Sequence, residues 1–417
     1  MNIGYACICL DPRFHFETCI QKFATKERLR SIITANLTTL QQLLAYNVSQ
    51  NIRMYRLSSD MIPFGSSPVN TVPWLDEYAQ EFSTIGAYIR EKGLRVSMHP
   101  GQYCVINSLR EDVVARSIDE LFYHASILEA MGLDATHKMV LHIGGVYGDK
   151  IQAMQRFAQV YQTLDPIIKK HLIIENDDRY YTIEDVLQLS GQLHIPVVFD
   201  NLHHAILPPE AKHTQREWLQ LAAKTWTSAD GIMKVHFCQQ DKKKRIGAHA
   251  MHIDTDTFLD FVQEREGIDM DLMLEVKDKN ISAIKCENLL HGNLIYPDRE
   301  WSRYKLLFLL ESRQLYEAWD KLIHKKSSIC SLDFYHVAED IGRRQHGKAA
   351  IQRIVQYILQ GVEWEQRTRL LLQKSIAAYE DDKKTLEQLL DTMLRVCERT
   401  AQYSLYDAIL LLKTYEV

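Results

Sequence analysis

HLIIENDDRYYTIEDV, residues 171–186, is the stretch of sequence that decides the fold. Its apolar run Leu172, Ile173 and Ile174 is closed by Glu175 and a polar segment. A short, continuous apolar run rich in β-branched residues is typical of a buried strand in a parallel sheet. A carboxylate at the exit of such a strand lies where parallel α/β folds build their functional sites. Glu175 is therefore the first candidate site residue.

Five further apolar runs end in the same way, on a side chain that can bind a metal ion. They close on His99, His142, Asp200, His236 and Glu275. Helical patterns separate the runs. Residues 74–91, for example, carry a helical pattern that stops at Lys92 and Gly93. The alternation of strands and helices predicts that the six polar strand ends meet on one side of a sheet.

We predict a (β/α)₈ TIM barrel over residues 1–300, because the apolar runs and helical patterns alternate eight times. The predicted strands are residues 3–8, 52–59, 94–98, 139–141, 172–174, 195–199, 232–237 and 272–276. The alternative is an open doubly wound sheet, which would not spread candidate ligands over six strand ends. The composition changes after about residue 300: residues from Ile354 onward lack such runs, and residues 362–417 contain no proline or glycine. Their apolar residues at three- and four-residue steps predict an all-helical C-terminal extension over residues 301–417.

Composition and charge limit the classes of protein to which the chain can belong. Its 417 residues are 46% hydrophobic and 25% charged, which is ordinary for a globular protein. No apolar run predicts a membrane helix, and residues 1–14 lack the features of a secretory signal. The 8 cysteines include no CxxC pair, so we expect reduced thiols and a cytoplasmic location. Since the formal net charge is −5, any DNA binding needs a local basic patch.

The strand ends and the loops that follow them supply a set of candidate metal ligands. The full set is His99, His142, Glu175, Asp200, His203, His236, His249 and Glu275. Histidine and carboxylate ligands suit Zn²⁺ and Mn²⁺, and the absence of cysteine argues against a structural zinc site. One ion takes about four to six ligands, so this set predicts two or three divalent ions with bridging carboxylates. Paired ions suit displacement at phosphorus, because they stabilise both the attacking and the leaving oxygen.

Lys234 precedes His236 by two residues, so strand alternation predicts that both side chains point to the same side. An ordinary lysine beside several cations would be disfavoured. Three interpretations stay open: the amine loses its proton, the side chain points away, or the amine is carboxylated and helps to bind metal. With Glu175 and Glu275, which we expect to bridge ions, Lys234 is a candidate catalytic residue.

Six motifs resemble the UV damage endonuclease family, which belongs to a wider endonuclease IV-like group of TIM barrels. They are HPGQY (99–103), LHIGG (141–145), IENDD (174–178), FDNLHH (199–204), KVHF (234–237) and MLEVKDK (273–279). The resemblance covers about residues 1–300. It implies ATP-independent cleavage of the phosphodiester immediately 5′ to a UV photoproduct such as a pyrimidine dimer. The expected products carry a 3′-hydroxyl and a 5′-phosphate, and Mn²⁺ is favoured as the metal, with Zn²⁺ as the second choice.

Residue by residue, the resemblance places the eight candidate ligands on metal ligands and Lys234 on a modified lysine. It also implies lesion or DNA contacts by Tyr5, Gln102 and Tyr103. Two positions depart from the family pattern. Ser67 stands where a histidine is common, which weakens the expectation of a further ligand or phosphate contact. Cys9 stands where an asparagine is expected, which weakens the lesion-contact assignments.

A basic run lies between two candidate ligands, His236 and His249. It consists of Lys242, Lys243, Lys244 and Arg245. Such a run is often only solvated surface, but its place between two ligands keeps it near the site, so we expect it to contact DNA phosphates. The expected partner is damaged double-stranded DNA. We expect the protein to act as a monomer and not to associate with a membrane. Two alternatives stay open: a metal-dependent TIM-barrel sugar isomerase or epimerase, and a lesion-binding protein without catalysis.

Overall fold

The computed structural model describes residues 1–325 and 328–415. Eight parallel strands form a closed barrel in the order of the sequence, and β8 pairs with β1 to close it. The strands are β1 Ile3–Ala6, β2 Met54–Arg56, β3 Arg95–Met98, β4 Lys138–His142, β5 Leu172–Glu175, β6 Val197–Asp200, β7 Met233–Phe237 and β8 Met270–Leu274. The predicted TIM barrel is confirmed.

Helices follow the strands around the barrel. They are α1 Lys26–Ser49, α2 Trp74–Glu77, α3 Ala79–Glu91, α4 Glu111–Ala130, α5 Lys150–Thr163, α6 Pro166–His171, α7 Ile183–Leu193, α8 Asn201–Ile206, α9 Gln215–Ala223, α10 Thr255–Glu264 and α11 Asn280–His291. The predicted helix over residues 74–91 is interrupted at Tyr78, whose backbone leaves the helical region. The Tyr78 hydroxyl donates to the Arg30 carbonyl at 2.9 Å, so a contact with α1 holds the break in place.

Helix α7 shows how local sequence sets the helix ends in the barrel. The Thr182 side chain accepts from the Asp185 backbone N–H, and the Asp185 carboxylate accepts from the Thr182 N–H. This reciprocal capping box satisfies two of the backbone donors that a helix start leaves free. The helix stops at His194, which adopts a left-handed backbone with φ 57°. These caps fix the direction in which the chain leaves β5 and returns to β6.

Charged side chains cross the inside of the barrel below its carboxyl end. Arg95 on β3 reaches Asp271 on β8 with a 3.0 Å separation, and both side chains are largely buried. Because β3 and β8 are not neighbours in the sheet, this ion pair passes through the barrel interior. A buried ion pair requires both partners, since removing one would leave an uncompensated charge.

The chain forms two compact units. The first contains Met1–Ile253 and Thr257–Glu287, and the second contains Asp254–Asp256 and Asn288–Val417. The second unit holds the helices α12 Pro297–Glu311, α13 Arg313–His324, α14 Ser331–Gly342, α15 Lys348–Gly361, α16 Gln366–Glu380, α17 Leu386–Arg399 and α18 Tyr403–Thr414. The predicted domain boundary at residue 300 falls inside α12, and a division into separately folding domains stays a prediction. Within the described ranges, no helix has the length and apolarity needed to cross a membrane.

Candidate metal centre

Seven of the eight candidate ligands gather at the carboxyl ends of the barrel strands. Among the described residues they form three groups: His99, His142 and Glu175; Glu175, Asp200 and His203; Asp200, His236 and Glu275. In each group every residue offers one ligand atom, and the three atoms lie within 4.8 Å of one another. Glu175 and Asp200 each belong to two groups, so the three groups form one continuous set. We call these seven side chains the mouth cluster.

The register of the parallel strands brings these residues together. His142 at the end of β4 is paired with Glu175 at the end of β5. Asp200 at the end of β6 is paired with His236 on β7. Because all strands run in one direction, side chains that end neighbouring apolar runs reach the same rim of the barrel.

Glu175 occupies the middle of the mouth cluster and is almost completely buried. Its Oε2 lies 3.0 Å from His236 Nδ1 and 3.4 Å from His99 Nε2, and its Oε1 lies 3.3 Å from His203 Nδ1. Burial alone would raise the pKa of Glu175, but the neighbouring His236 and His142 lower this pKa well below its ordinary value. The carboxylate is therefore charged at neutral pH and available to a cation.

Backbone contacts orient two of the histidines. The His203 Nδ1 lies 2.9 Å from the Asn176 carbonyl oxygen, and the His99 Nδ1 lies 3.0 Å from the Pro100 carbonyl oxygen. Asp200 caps α8 by accepting the His203 backbone N–H at 2.7 Å. A carbonyl bonded to one ring nitrogen fixes the tautomer and leaves the other nitrogen for a metal. This arrangement suits ligation by His99 through Nε2, the nitrogen that faces Glu175.

Several buried polar atoms of the site have no hydrogen-bond partner among the described residues, and a bound metal ion would satisfy them. In the described part of the chain they include Glu175 Oε2, Asp200 Oδ2, His142 Nδ1 and both ring nitrogens of His236. Glu175 Oε2 and His236 Nδ1 face each other at 3.0 Å as an ion-pair contact, but without the alignment of a hydrogen bond. Each unsatisfied buried polar group costs about 1–3 kcal/mol, so such a concentration needs a compensating interaction. Nitrogen and oxygen donors without sulfur match Zn²⁺ or Mn²⁺. The residues present therefore fit a site for more than one divalent ion.

Arg56 is a member of this site that the sequence reasoning missed. Its Nη2 donates to Glu275 Oε1 at 2.6 Å, and both side chains are largely buried. Burial alone would lower the pKa of Arg56, but Glu275 raises it above its ordinary value, so the guanidinium stays charged. The only signal in the sequence was an arginine inside the predicted apolar strand over residues 52–59. Arg56 partly neutralises Glu275 and would compete with a metal ion for this carboxylate.

Lys234 lies inside the barrel and points toward β3. Its Nζ donates to Ser97 Oγ at 2.8 Å, and the side chain is almost fully buried. Burial, together with Arg56 and Arg95, lowers the pKa of Lys234 well below its ordinary value. These surroundings favour the interpretation in which the amine loses its proton.

His249 does not join the mouth cluster. It lies in the loop after β7, partly exposed, where its backbone forms an isolated antiparallel bridge with Gln240. No group of three possible ligands among the described residues includes it. His249 was expected to be a ligand from its place in the loop after the seventh predicted strand and again from the family resemblance, and the structure does not bring it to the other seven.

The expected DNA-contact residues differ in their accessibility. Tyr5 is 0% exposed, and its hydroxyl donates to Asn47 Oδ1 at 2.8 Å, so it has no surface to offer DNA. Tyr103 is 79% exposed, and Gln102 and the basic run over residues 242–245 are also exposed. Cys9 is buried, and the Ser67 hydroxyl accepts the Val69 backbone N–H at 3.3 Å. The two departures from the family pattern thus serve local structure.

The closed parallel barrel and its rim of histidines and carboxylates define a (β/α)₈ barrel protein with its functional site at the carboxyl ends of the strands. The family model described as UV-endonuclease UvdE matches residues 2–292. The chain therefore belongs to the UV-endonuclease UvdE family. The prediction of an endonuclease is confirmed by this membership.

Individual relatives support the assignment. The UV DNA damage endonuclease of Clostridium perfringens (strain 13 / Type A) is 42% identical over 318 residues, which cover 74% of this chain and 76% of the relative. The UV DNA damage endonuclease of Bacillus mycoides (strain KBAB4) is 32% identical over 272 residues, covering 64% and 85%. The crystal structure of SacUVDE is 36% identical with a TM-score of 0.66, covering 70% of this chain and 98% of that chain.

Proposed function

We propose that this protein hydrolyses the phosphodiester immediately 5′ to UV photoproducts in double-stranded DNA, leaving a 3′-hydroxyl and a 5′-phosphate without ATP. The observation that carries the proposal is the mouth cluster, in which carboxylates are shared between neighbouring groups of ligands. The relatives named UV DNA damage endonuclease supply the lesion class. Their names disfavour the sugar isomerase or epimerase and the non-catalytic lesion-binding protein as alternatives.

The mouth cluster would hold two or three divalent ions, with Mn²⁺ favoured over Zn²⁺. When bound, such ions supply stabilisation of the charge on the attacking and leaving oxygens of a displacement at phosphorus. Glu175 and Asp200 belong to two groups each, which suits carboxylates that bridge ions. Glu275 was the other expected bridging residue, but one of its oxygens is engaged by Arg56.

The chain's own residues would position the substrate and adjust the charge of the site. Arg56 holds Glu275 in place and limits the excess of negative charge at the rim. Lys234 would enter the site either as a neutral amine or as a carbamate that adds a further oxygen ligand. Gln102 and Tyr103 stand on the loop after β3 and would probe the lesion, while the exposed basic run would bind phosphates.

A photodimer suits this site because its stacking and pairing are already impaired. Extruding a damaged base costs less than extruding a normal one, which gives the enzyme part of its selectivity. A monomer acting on one lesion is the assembly that we expect.

A defined duplex with one photodimer tests the proposal. With Mn²⁺ the protein is expected to cut once, directly 5′ to the lesion, and to leave an undamaged duplex of the same sequence intact. The Glu175→Gln variant is expected to lose at least 10²-fold in rate, since it removes a shared carboxylate from the site. The products are mapped at nucleotide resolution. Cutting at another position, or equal cutting of both duplexes, would contradict the proposal.

A further inference from the structure

Ile246 is a solvent-exposed aliphatic residue at the rim of the barrel. It is 77% exposed, and it directly follows the basic run over residues 242–245. A single exposed aliphatic residue is common on protein surfaces and by itself means little. Ile246 differs from an ordinary exposed residue because its loop is ordered by hydrogen bonds and lies beside the mouth cluster.

The loop that carries Ile246 is ordered by its own hydrogen bonds. We call residues 239–250 the tip loop. The Asp241 N–H donates to the Ala248 carbonyl at 2.7 Å, and the Ala250 N–H donates to the Gln239 carbonyl at 2.8 Å. The Ala248 N–H also donates to the Arg245 carbonyl at 3.0 Å. The two arms of the loop are therefore held together below its tip.

The Gln240 side chain fixes the tip itself. Its Oε1 accepts the Gly247 N–H at 2.7 Å, and its Nε2 donates to the Arg245 carbonyl at 3.0 Å. These bonds hold the residues on both sides of Ile246. The side chain is thus presented on a pre-formed support, which reduces the entropy that a binding event would cost.

Further contacts place the tip loop beside the mouth cluster. The Lys277 N–H, two residues after Glu275, donates to the Ala250 carbonyl at 3.2 Å. Gly247 has φ 83°, and a Cβ atom there would lie 3.1 Å from Asp178 Oδ2, three residues after Glu175. Only glycine combines this backbone conformation with this close approach. The loop therefore touches the segments that follow both β5 and β8.

The tip of the loop carries both positive charges and an apolar side chain, and these interact with different parts of DNA. The cations of the basic run can bind phosphates, but an isoleucine offers phosphates nothing. Proteins that bend DNA frequently insert an apolar side chain between base steps and so kink the duplex. We propose that Ile246 is an apolar wedge that inserts into the base stack beside the lesion and holds the duplex bent. This inference rests on the proposed function and assigns a second lesion-sensing element, separate from Gln102 and Tyr103.

The test uses a photodimer duplex with 2-aminopurine beside the lesion, bound to the full-length Glu175→Gln protein so that no cutting occurs. Binding is expected to raise the 2-aminopurine fluorescence, because insertion unstacks that base. Adding Ile246→Ala is expected to abolish most of this rise in fluorescence and to raise the Kd for the duplex roughly tenfold. The slope of log Kd against log salt is expected to stay the same, because no charge is removed. Ile246→Leu is expected to restore both signals.

Ile232→Ala is the matched control. Ile232 is 41% exposed and precedes β7, at the opposite end of the strand from the tip loop, so this variant is expected to bind like the parent. Unchanged fluorescence and affinity in Ile246→Ala would overturn the wedge alone, provided that the unsubstituted protein cuts the photodimer duplex. Failure of the unsubstituted protein to cut that duplex would overturn the proposed function and the wedge together.

Discussion

Arg56 and Glu275 form a buried ion pair directly beside the mouth cluster. Strand β2 carries the arginine, and the carboxylate follows β8, so the pair joins two strands across β1. Burying two charges is costly, and the pair is stable only while both partners are present. At the scale of single residues, this pair therefore couples the stability of the barrel to the charge of the site.

Replacing Arg56 with methionine should destabilise the metal-free protein. We expect a loss of about 3–5 kcal/mol in the free energy of unfolding, because Glu275 would be left buried without its cation. Mn²⁺ should restore part of this loss by neutralising the carboxylate. Urea unfolding with and without Mn²⁺ measures both effects.

The matched control for this variant is Arg30→Met. Arg30 pairs with Glu77 at 2.7 Å on the surface, where solvent screens an ion pair and leaves it little effect on stability. Equal stability of the Arg56→Met variant and the parent without metal would show that Glu275 does not depend on Arg56.

Asp278 should make the protein less stable as the pH rises. Burial raises the pKa of Asp278 to about 7 from an ordinary value of 3.8. The folded chain therefore holds this proton more tightly than the unfolded chain, so stability falls between about pH 4 and pH 7. Asp278→Asn should remove this loss, so that it stabilises the protein at pH 8 and changes the stability little at pH 4. Unfolding in urea at both pH values measures the difference, and an equal effect at both would contradict it.

At the scale of structural elements, the tip loop carries a basic run, is ordered by its own hydrogen bonds and lies beside the mouth cluster. Its basic run was visible in the sequence, but its internal hydrogen bonds and its contact with the segment after β5 were not. The same loop carries His249, whose backbone bridge to Gln240 keeps it in the loop rather than in the mouth cluster. We therefore expect the tip loop to contact DNA rather than to bind metal.

Neutralising the basic run should weaken DNA binding uniformly. We expect a lower affinity for damaged and undamaged duplexes alike in each of three single variants, Lys242→Gln, Lys243→Gln and Lys244→Gln. Each should also flatten the dependence of log Kd on log salt by roughly 0.9, if one phosphate contact is lost. Titrations over a range of salt concentrations measure this slope.

Lys92→Gln serves as the control for the basic run, because Lys92 ends α3 next to the start of β3, at the other end of the barrel. It should leave the slope unchanged. A slope in the tip-loop variants equal to that of Lys92→Gln would mean that the basic run is only solvated surface.

At the scale of the whole molecule, metal binding and folding are expected to be linked. The candidate ligands of the mouth cluster come from segments distributed from the end of β3 to the end of β8, so an ion held by them would join distant parts of the chain. An ion that binds the folded state only stabilises it by about 2.7 kcal/mol at a concentration 100 times its Kd. Mn²⁺ should therefore raise the melting temperature of the protein.

Two histidine variants make this prediction specific. His142→Ala should lose most of the Mn²⁺-dependent rise in melting temperature and part of the bound metal. His249→Ala should keep both close to the parent, because the structure holds His249 outside the mouth cluster. Thermal unfolding and elemental analysis of the two proteins give the answer. A larger loss in His249→Ala than in His142→Ala would mean that the tip loop delivers a ligand after all.

The sequence by itself determined the barrel, the helical character of the C-terminal part and seven side chains that meet at the rim. These features follow from local periodicity, since an apolar run closed by a polar residue sets both a strand and the end at which its polar side chain lies. Family resemblance added the expected activity.

Only the tertiary structure decided that Arg56 engages Glu275, that Tyr5 is buried and that His249 stays in its loop. It also decided that Tyr78 breaks a predicted helix, through a hydrogen bond to α1. Each outcome depends on distances between segments far apart in the chain, or on the conformation of a loop. Periodicity within one segment contains no information about either.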